Sequence, residues 1–411
     1  MFNNIPIFTD KRNAVLERCH SDPTTRLRLK LDVYYRCVDR ANGAMLTVDG
    51  KDMIMMSSNE YLGLSQHPKV IEAAKRALDE WGSSACGSRL ANGTRRYHVE
   101  LEEEIAEFLG KEACHISAAG YLACMSSISS LAQRGDALIV DKSIHSALWD
   151  GVNLSAATVE RFAHEDMNSL KRLLQELDPA QPKVIVVDGV YSMEGHIASV
   201  PELVELAKEF DCFLVVDDAH GFGILGDQGR GTVNHYGLTD EVDVIVGSFS
   251  KSLSSVGGFI AGDKAVIEYL RTTCRQIIFS AGIPPASVAS ARAALKVIQD
   301  EPEIHQKLWS NTRYLRRILD DLGVDYWDSP TPAIPIVVGN KDKCFRVWQA
   351  LWKEGIFSVM SVSPGVPVGK DLIRCAVSAL HTKEHLDKFG DALKIAMKKA
   401  GLQPKKKAIA A

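Results

Sequence analysis

The stretch "CFLVVDDAH", residues 212–220, holds an unbroken apolar run followed at once by two aspartates and a histidine. A strand with one wet face alternates apolar and polar residues, so a run without alternation belongs to a strand covered on both faces. The pattern returns in "ALIVD" (137–141), "KVIVVDG" (183–189) and "DVIVGSFS" (243–250). Between these runs, "MNSLKRLLQEL" (167–177) and "VPELVELAKEF" (200–210) have helical spacing and the length of crossover connections. The expectation is an α/β fold with a mostly parallel central sheet wrapped by helices. Such sheets bind ligands at the carboxyl ends of their strands. Chemistry is therefore sought just after each run: Asp141 to His145, Asp188 to Glu194, Asp217 to His220, and Ser248 to Lys251.

Outward from this centre the texture changes. Residues 1–46 are charged and helical in character ("RNAVLERC", "RLRLKLDVYYRCVDR") and read as an N-terminal arm. The strand-to-loop segment "MIMMSSNEYLGLSQHP" (53–68) opens the large domain, expected over 47–286. It is followed by two amphipathic helices, "PKVIEAAKRALDEWG" and "YHVELEEEIAEFLG", each stopped by a glycine. From 287 to 400, a long helical stretch precedes the strand-like "AIPIVVG", "GIFSVMSV" and "LIRCAVSALH", the pattern of a smaller C-terminal α+β domain. Residues 401–411 form a basic tail containing Lys405, Lys406 and Lys407.

With 411 residues, 46% of them hydrophobic and 24% charged, and a net charge of -4, the chain has the composition of an ordinary globular protein. Its basic residues are dispersed, which argues against nucleic acid as a partner and leaves at most a peripheral membrane contact through the tail. The nine cysteines are odd in number and contain no C-x-x-C pair, so reduced thiols in a cytoplasmic protein are expected and no metal site is. The N-terminus has early charges and lacks the apolar core of a signal peptide. The longest uncharged stretch, "HISAAGYLACMSSISSLAQ" (115–133), includes five serines and reads as a buried helix.

Three readings compete for the segment "GFGILG" (221–226) and the neighbouring "GSFSKSLSSVGGF" (247–259). A dinucleotide fingerprint needs its third glycine to open a helix, whereas "DQGRG" follows here. The S-x-x-K in "SFSK" needs S-D-N and K-T-G partners, which the chain lacks. The third reading makes Lys251 a Schiff-base lysine, activated by burial among small neighbours that give a flat ring access. If that ring is pyridoxal 5'-phosphate, its nitrogen needs a carboxylate, which Asp217 offers at a strand end. His220 could donate to its phenolic oxygen, and His145 could cover its face. The amides of "AAGYLA", at Ala119, Gly120 and Tyr121, could hold the phosphate at a helix start. Each residue taken singly has a structural role open to it. Four strand ends that together supply one cofactor's needs are harder to explain that way.

These residues lie within longer motifs: "SSNEYLGL", "GSRLANGTRRYHVELE", "DKSIHSAL", "FAHEDMNSL", "DGVYSMEGHIA", "VVDDAHGFGILGDQGRG", "FSAGIPPA" and "LIRCAVSALHT". From about Met56 to Thr382 the chain resembles the α-oxoamine synthase family of fold-type I pyridoxal-phosphate enzymes. That resemblance implies a condensation of an amino acid with an acyl thioester of coenzyme A or an acyl carrier protein, with loss of carbon dioxide. It implies catalytic roles for Lys251, His145 and His220, with Asp217 on the ring nitrogen. Asp188 and Ser192 would lie near the cofactor, Ser248 near its phosphate, and Asn59 and Arg374 on the substrate carboxylate. A homodimer with shared active sites would bring Ser280 to the partner's phosphate. Three positions depart from the family pattern: Ala119, the run Ser280, Ala281 and Gly282, and Gly365 in "PGVP". Short stretches such as "SKSLSSVGGF" and "IRCAVSALHT" lean toward the serine palmitoyltransferase branch. The 8-amino-7-oxononanoate synthase branch comes next, followed by glycine C-acetyltransferase and 5-aminolevulinate synthase. Outside that chemistry stand an aminotransferase and a non-catalytic partner subunit.

Overall fold

The computed structural model describes residues 13–22, 33–363 and 365–404. Strands β1 (Arg40–Asn42), β2 (Met45–Val48) and β3 (Lys51–Met55) form an antiparallel meander. The central sheet is built from β4 (Ala113–Ser117), β5 (Ala137–Asp141), β6 (Thr158–Phe162), β7 (Lys183–Asp188), β8 (Cys212–Asp217), β9 (Val244–Ser248) and β10 (Gly258–Gly262). Its strand order is β4-β10-β9-β8-β7-β5-β6. Pairs from β9 through to β6 are parallel, while β10 runs antiparallel to both β4 and β9. The sheet is therefore mostly parallel, with one reversed strand.

Period-two alternation within each unbroken run divides its side chains between two apolar layers. Leu138, Val140, Val186, Val215, Val246 and Ile260 face a layer closed by helices Gly120–Leu131, Ser146–Leu154 and Lys264–Thr273. Ile139, Ile185, Val187, Val216, Ile245 and Phe259 face the other, larger layer, which includes helices Arg96–Leu109 and Val200–Glu209. Both faces are dry, as the sequence pattern requires.

The chain passes from β4 at one edge to β5 and then β6 at the other, and returns through β7 and β8 to β9. This order places the carboxyl ends of β4, β5, β7, β8 and β9 along one rim. The C-terminal region contributes β11 (Ala333–Val337), β12 (Ile356–Phe357), β13 (Val359–Ser361) and β14 (Leu372–Ala376). Strands β11, β14 and β13 make a three-stranded antiparallel sheet backed by helices Pro302–Leu322, Lys341–Lys353 and Lys383–Ala400. Strand β12 pairs in parallel with β3 and so joins the first part of the chain to the last. Of the N-terminal arm, Ala14–Ser21 is helical, residues 33–39 are irregular, and 40–48 form a hairpin turning after Asn42 at Gly43 instead of continuing the helical character expected of the arm. All of "RLRLKL" (26–31) and Lys405 to Lys407 lie outside the described residues.

Candidate active site

A cavity of about 310 Å³ opens at the rim, within the ~300–1,000 Å³ usual for small-molecule sites. Its lining includes Lys251, Asp217, His220, His145, Asp188 and Ser248, together with Ala119, Gly120 and Tyr121. Nine of the positions singled out in the sequence are thus brought together by five different strand ends. Asn59, Ser192, Ser280 and Arg374 do not line it. The carbonyl of Ser192 instead accepts a hydrogen bond from Arg374, and Ser280 lies in a separate small pocket with Arg89 and Gln276.

Helix Gly120–Leu131 begins at the wall of the cavity, and its first backbone N–H groups have no partner within the helix. Its approach to the sheet depends on missing side chains. A Cβ on Gly120 would come within 2.4 Å of Ser248 Oγ, and one on Gly258 within 2.5 Å of Gly120 Cα. The small residues around Lys251 therefore serve close chain packing as well as ring access. Gly247 makes room for the ring of Phe259, Gly257 for that of Phe249, and only Gly257 of these two lines the cavity.

The side-chain amine of Lys251 makes no hydrogen bond or ion pair among the described residues; its carbonyl accepts from the Ser254 amide at 2.9 Å. Burial pushes its amine below the usual lysine range, against the pull of nearby Asp217. Asp217, at the end of β8, accepts from the Ala219 amide at 3.0 Å and from the thiol of Cys124 at 3.1 Å. Asp188, at the end of β7, is buried, and burial and the adjacent Asp217 push its carboxyl well up. Its Oδ1 accepts the backbone N–H of His145 at 3.1 Å. The His145 ring caps helix Ser146–Leu154 through the Ala147 amide, and burial lowers its pKa. Cap and cavity wall are one side chain, so its structural role and its position over the site coexist.

His220 is driven well below its ordinary pKa by burial and by the charges of Lys251 and Arg374. Its Nδ1 lies 2.8 Å from the hydroxyl of Tyr61, a residue sequence reasoning did not single out although it sits inside "SSNEYLGL". The same hydroxyl accepts from Arg374 Nη2 at 3.2 Å. Arg374, on the central strand of the C-terminal sheet, also donates from Nε to the Ser192 carbonyl at 3.1 Å and from Nη1 to Asn59 Oδ1. It is 8% exposed, and among the described residues it meets no carboxylate. Three of its five N–H groups are occupied by neutral acceptors, leaving two and a full positive charge. The other residue sequence reasoning missed, Cys124, is hidden in an uncharged helix where nothing in the local pattern marks it.

The arrangement suits a flat, phosphorylated aldehyde. A partly neutral amine can attack the aldehyde carbon, a carboxylate lines the same cavity, and the N–H groups of a helix start stand at its wall, where an anionic group can bind. Among the described residues there is no cluster of metal-ligating side chains, and no helix is long and apolar enough to cross a membrane.

Residues 51–393 match the family described as aminotransferase class I and II. A serine palmitoyltransferase from Sphingobacterium spiritivorum is 41% identical over 373 residues, covering 91% of this chain and 94% of that one. An 8-amino-7-oxononanoate synthase from Thermoanaerobacter pseudethanolicus is 39% identical over 351 residues, covering 85% and 89%. The solved structure of a serine palmitoyltransferase variant from S. paucimobilis with a bound PLP-myriocin aldimine superposes with a TM-score of 0.91. It shares 31% identity and covers 95% of this chain and all (100%) of that one.

Proposed function

The chain belongs to the aminotransferase class I and II family, in its α-oxoamine synthase branch, and from that premise we propose that it joins serine to a long-chain acyl thioester with loss of carbon dioxide. It is an enzyme that uses pyridoxal 5'-phosphate, which when bound supplies an electron sink for the bonds at the amino-acid Cα. Lys251 holds the cofactor and, once released, takes the Cα proton. Asp217 faces the ring nitrogen, the N–H of His220 faces the phenolic oxygen, and His145 covers the ring. The amides of Gly120 and Tyr121, at the helix that follows Ala119, hold the phosphate with Ser248, while Asp188 fixes the backbone of His145. In a homodimer Ser280 reaches the partner's site.

The single observation that carries the amino-acid substrate is Arg374, a buried guanidinium with no counter-carboxylate and two free N–H groups among the described residues. A substrate carboxylate completes it in bidentate form, and with Asn59 beside it determines which Cα bond stands where Lys251 can act. The new bond joins Cα to the acyl carbonyl carbon, the C–S bond breaks with its electron pair going to the departing thiolate, and the carboxylate leaves as carbon dioxide, its bonding pair staying at Cα, which takes back a proton. The 0.91 superposition favours serine. The 39% identity to an 8-amino-7-oxononanoate synthase keeps alanine with a shorter acyl thioester as the second reading. All nine cysteines are unpaired, which fits a reducing compartment such as the cytoplasm.

The test is a matrix of serine, alanine and glycine against short, medium and long acyl thioesters, reading thiol release and product mass. Long-chain ketone from serine is expected. Turnover confined to alanine selects the second reading, and no thiol release from any pair with cofactor bound overturns both.

A further inference from the structure

The hairpin that follows β7, residues 190–197, carries the Ser192 carbonyl that orients Arg374. It is closed by a Val190–Ile197 bridge and by Tyr191 N to His196 O at 3.0 Å. Outside the site described above, a chain of polar groups ties this hairpin to the sheet. His164 Nδ1 lies 3.1 and 3.2 Å from the two oxygens of Asp141, and His164 Nε2 lies 3.2 Å from His196 Nδ1. His196 Nε2 lies 3.2 Å from the Trp327 carbonyl. The two imidazoles are nearly coplanar in orientation, 11° apart, and the ring of Tyr191 stands edge-on to His164 at 4.4 Å.

Counting protons along this chain gives a definite answer. The Trp327 carbonyl can only accept. Asp141 already accepts the backbone N–H groups of Ser143 at 2.7 Å and Glu165 at 2.9 Å, so it is an ionised acceptor. The three links therefore need three ring N–H groups, whereas two neutral imidazoles have only two. If both rings were neutral, two lone pairs would oppose each other, either between the rings or at Trp327, in a part-buried place where an unmade hydrogen bond is expensive.

We infer that His164 and His196 share one extra proton in the working enzyme, and that in this state they are positioning residues that hold the 190–197 hairpin, and through Ser192 the Arg374 guanidinium, ready for the amino-acid carboxylate. The carboxylate role of Arg374 rests on the function proposed above. Other charges facing the pair are those of Glu165 on its own loop and Glu194 on the hairpin; the neutral phenol of Tyr191 and the carboxyl of Asp188 beyond Asp141 complete the surroundings. Burial of His164 opposes the charge, but the bond to Asp141 and the carboxylates of Glu194 and Glu165 outweigh it and hold the imidazole above its ordinary pKa. Because that folded-state pKa is raised, the shared proton is held below it and the clamp is lost as pH rises through it.

The experiment uses the holoenzyme. Nitrogen-15 NMR of its histidine rings is expected to show one imidazolium in the pair at pH 7. Titration upward should remove that proton while KM for the amino acid rises about ten-fold, with kcat and KM for the acyl thioester changing little. His196→Ala, which cannot complete the chain, should show the raised KM at every pH and lose the pH-dependent part. His164→Gln provides a second variant if the first folds poorly. Two neutral rings at pH 7, or an amino-acid KM unmoved in a folded variant, would overturn the inference. Absence of turnover with every amino acid, while the NMR still shows the shared proton, would count against the proposed function and not against the proton count.

Discussion

The Tyr61 hydroxyl is bonded to His220 Nδ1 at 2.8 Å, and this contact sets which ring nitrogen of His220 presents a proton to the cavity. Arg374 can only donate to Tyr61, so the phenol's own proton is directed to His220 Nδ1, and the N–H of the neutral ring is left on Nε2. Tyr61→Phe should let the His220 tautomer vary and leave an Arg374 N–H unmatched. A loss of ~1–3 kcal/mol is expected. It should be read as a roughly ten-fold or larger fall in kcat/KM together with a shifted absorbance band of the bound cofactor. An unchanged band and rate would refute the tautomer argument.

Lys251→Ala removes a buried, unpaired amine that the fold holds against its preference for charge. The apoprotein should keep its circular dichroism and unfold no earlier than the parent, while borohydride adds no cofactor mass to the chain. A lysine pKa lowered by folding also means that the parent apoprotein gains stability as pH rises from the folded-state value toward the unfolded one, because the unfolded chain binds more protons there. That slope should be absent in the variant. Denaturant titrations at several pH values measure it.

Gly120→Ala forces a methyl to within 2.4 Å of Ser248 Oγ and 2.6 Å of its Cβ. Overpacking of this kind costs ~1–3 kcal/mol, and here it pushes the helix start away from the sheet. Cofactor retention on dialysis should fall by about ten-fold or more, with a smaller effect on the melting temperature. Full retention would mean that the helix start does not hold the phosphate.

Glu102 sits beneath the 87–94 loop, where it accepts from both terminal nitrogens of Arg89, from Arg271 Nη2 at 3.0 Å and from the Ile116 amide at 3.0 Å. Burial works against its charge, yet the hydrogen bond with His115 and the Arg89 guanidinium hold its carboxyl down at about 2. Burial also lowers the pKa of His115, so the lasting positive charges are the two arginines. With its folded pKa depressed, the stabilisation is present above the unfolded carboxylate value and is lost as pH falls toward about 2. Glu102→Gln should destabilise the fold by ~3–5 kcal/mol at neutral pH, measured by urea unfolding, and should narrow the gap between neutral and acid stability.

The sheet was legible because β5, β7, β8 and β9 are unbroken apolar runs whose last residues, among them Asp217 and Ser248, are the ones that meet in space. The reversed strand β10 was not, since "GFIAG" is a short apolar run without direction. The hairpin at 40–48 was absorbed into the charged arm before it, although its Asn42-Gly43 pair is a turn signal and Gly43 has the positive φ such a turn needs. Within the site, Lys251 and its acidic and imidazole partners announce themselves by chemistry. Tyr61 does not, because its task depends on a hydrogen bond across 159 positions of sequence. The glycines were read as access for a ring, and their nearest neighbours turned out to be other parts of the chain.

The position of β10 also bears on the order in which the molecule can be made. Strands β4 and β9 cannot be joined until residues 258–262 emerge and insert between them, and Gly120 meets Ser248 only across that completed seam. During synthesis the chain must carry β4 as an open edge for well over a hundred residues, the kind of exposed pairing surface that invites misassembly. The cofactor cavity therefore cannot close before that strand is in place. Supply of pyridoxal phosphate at that moment should act on the yield of native protein as well as on its activity.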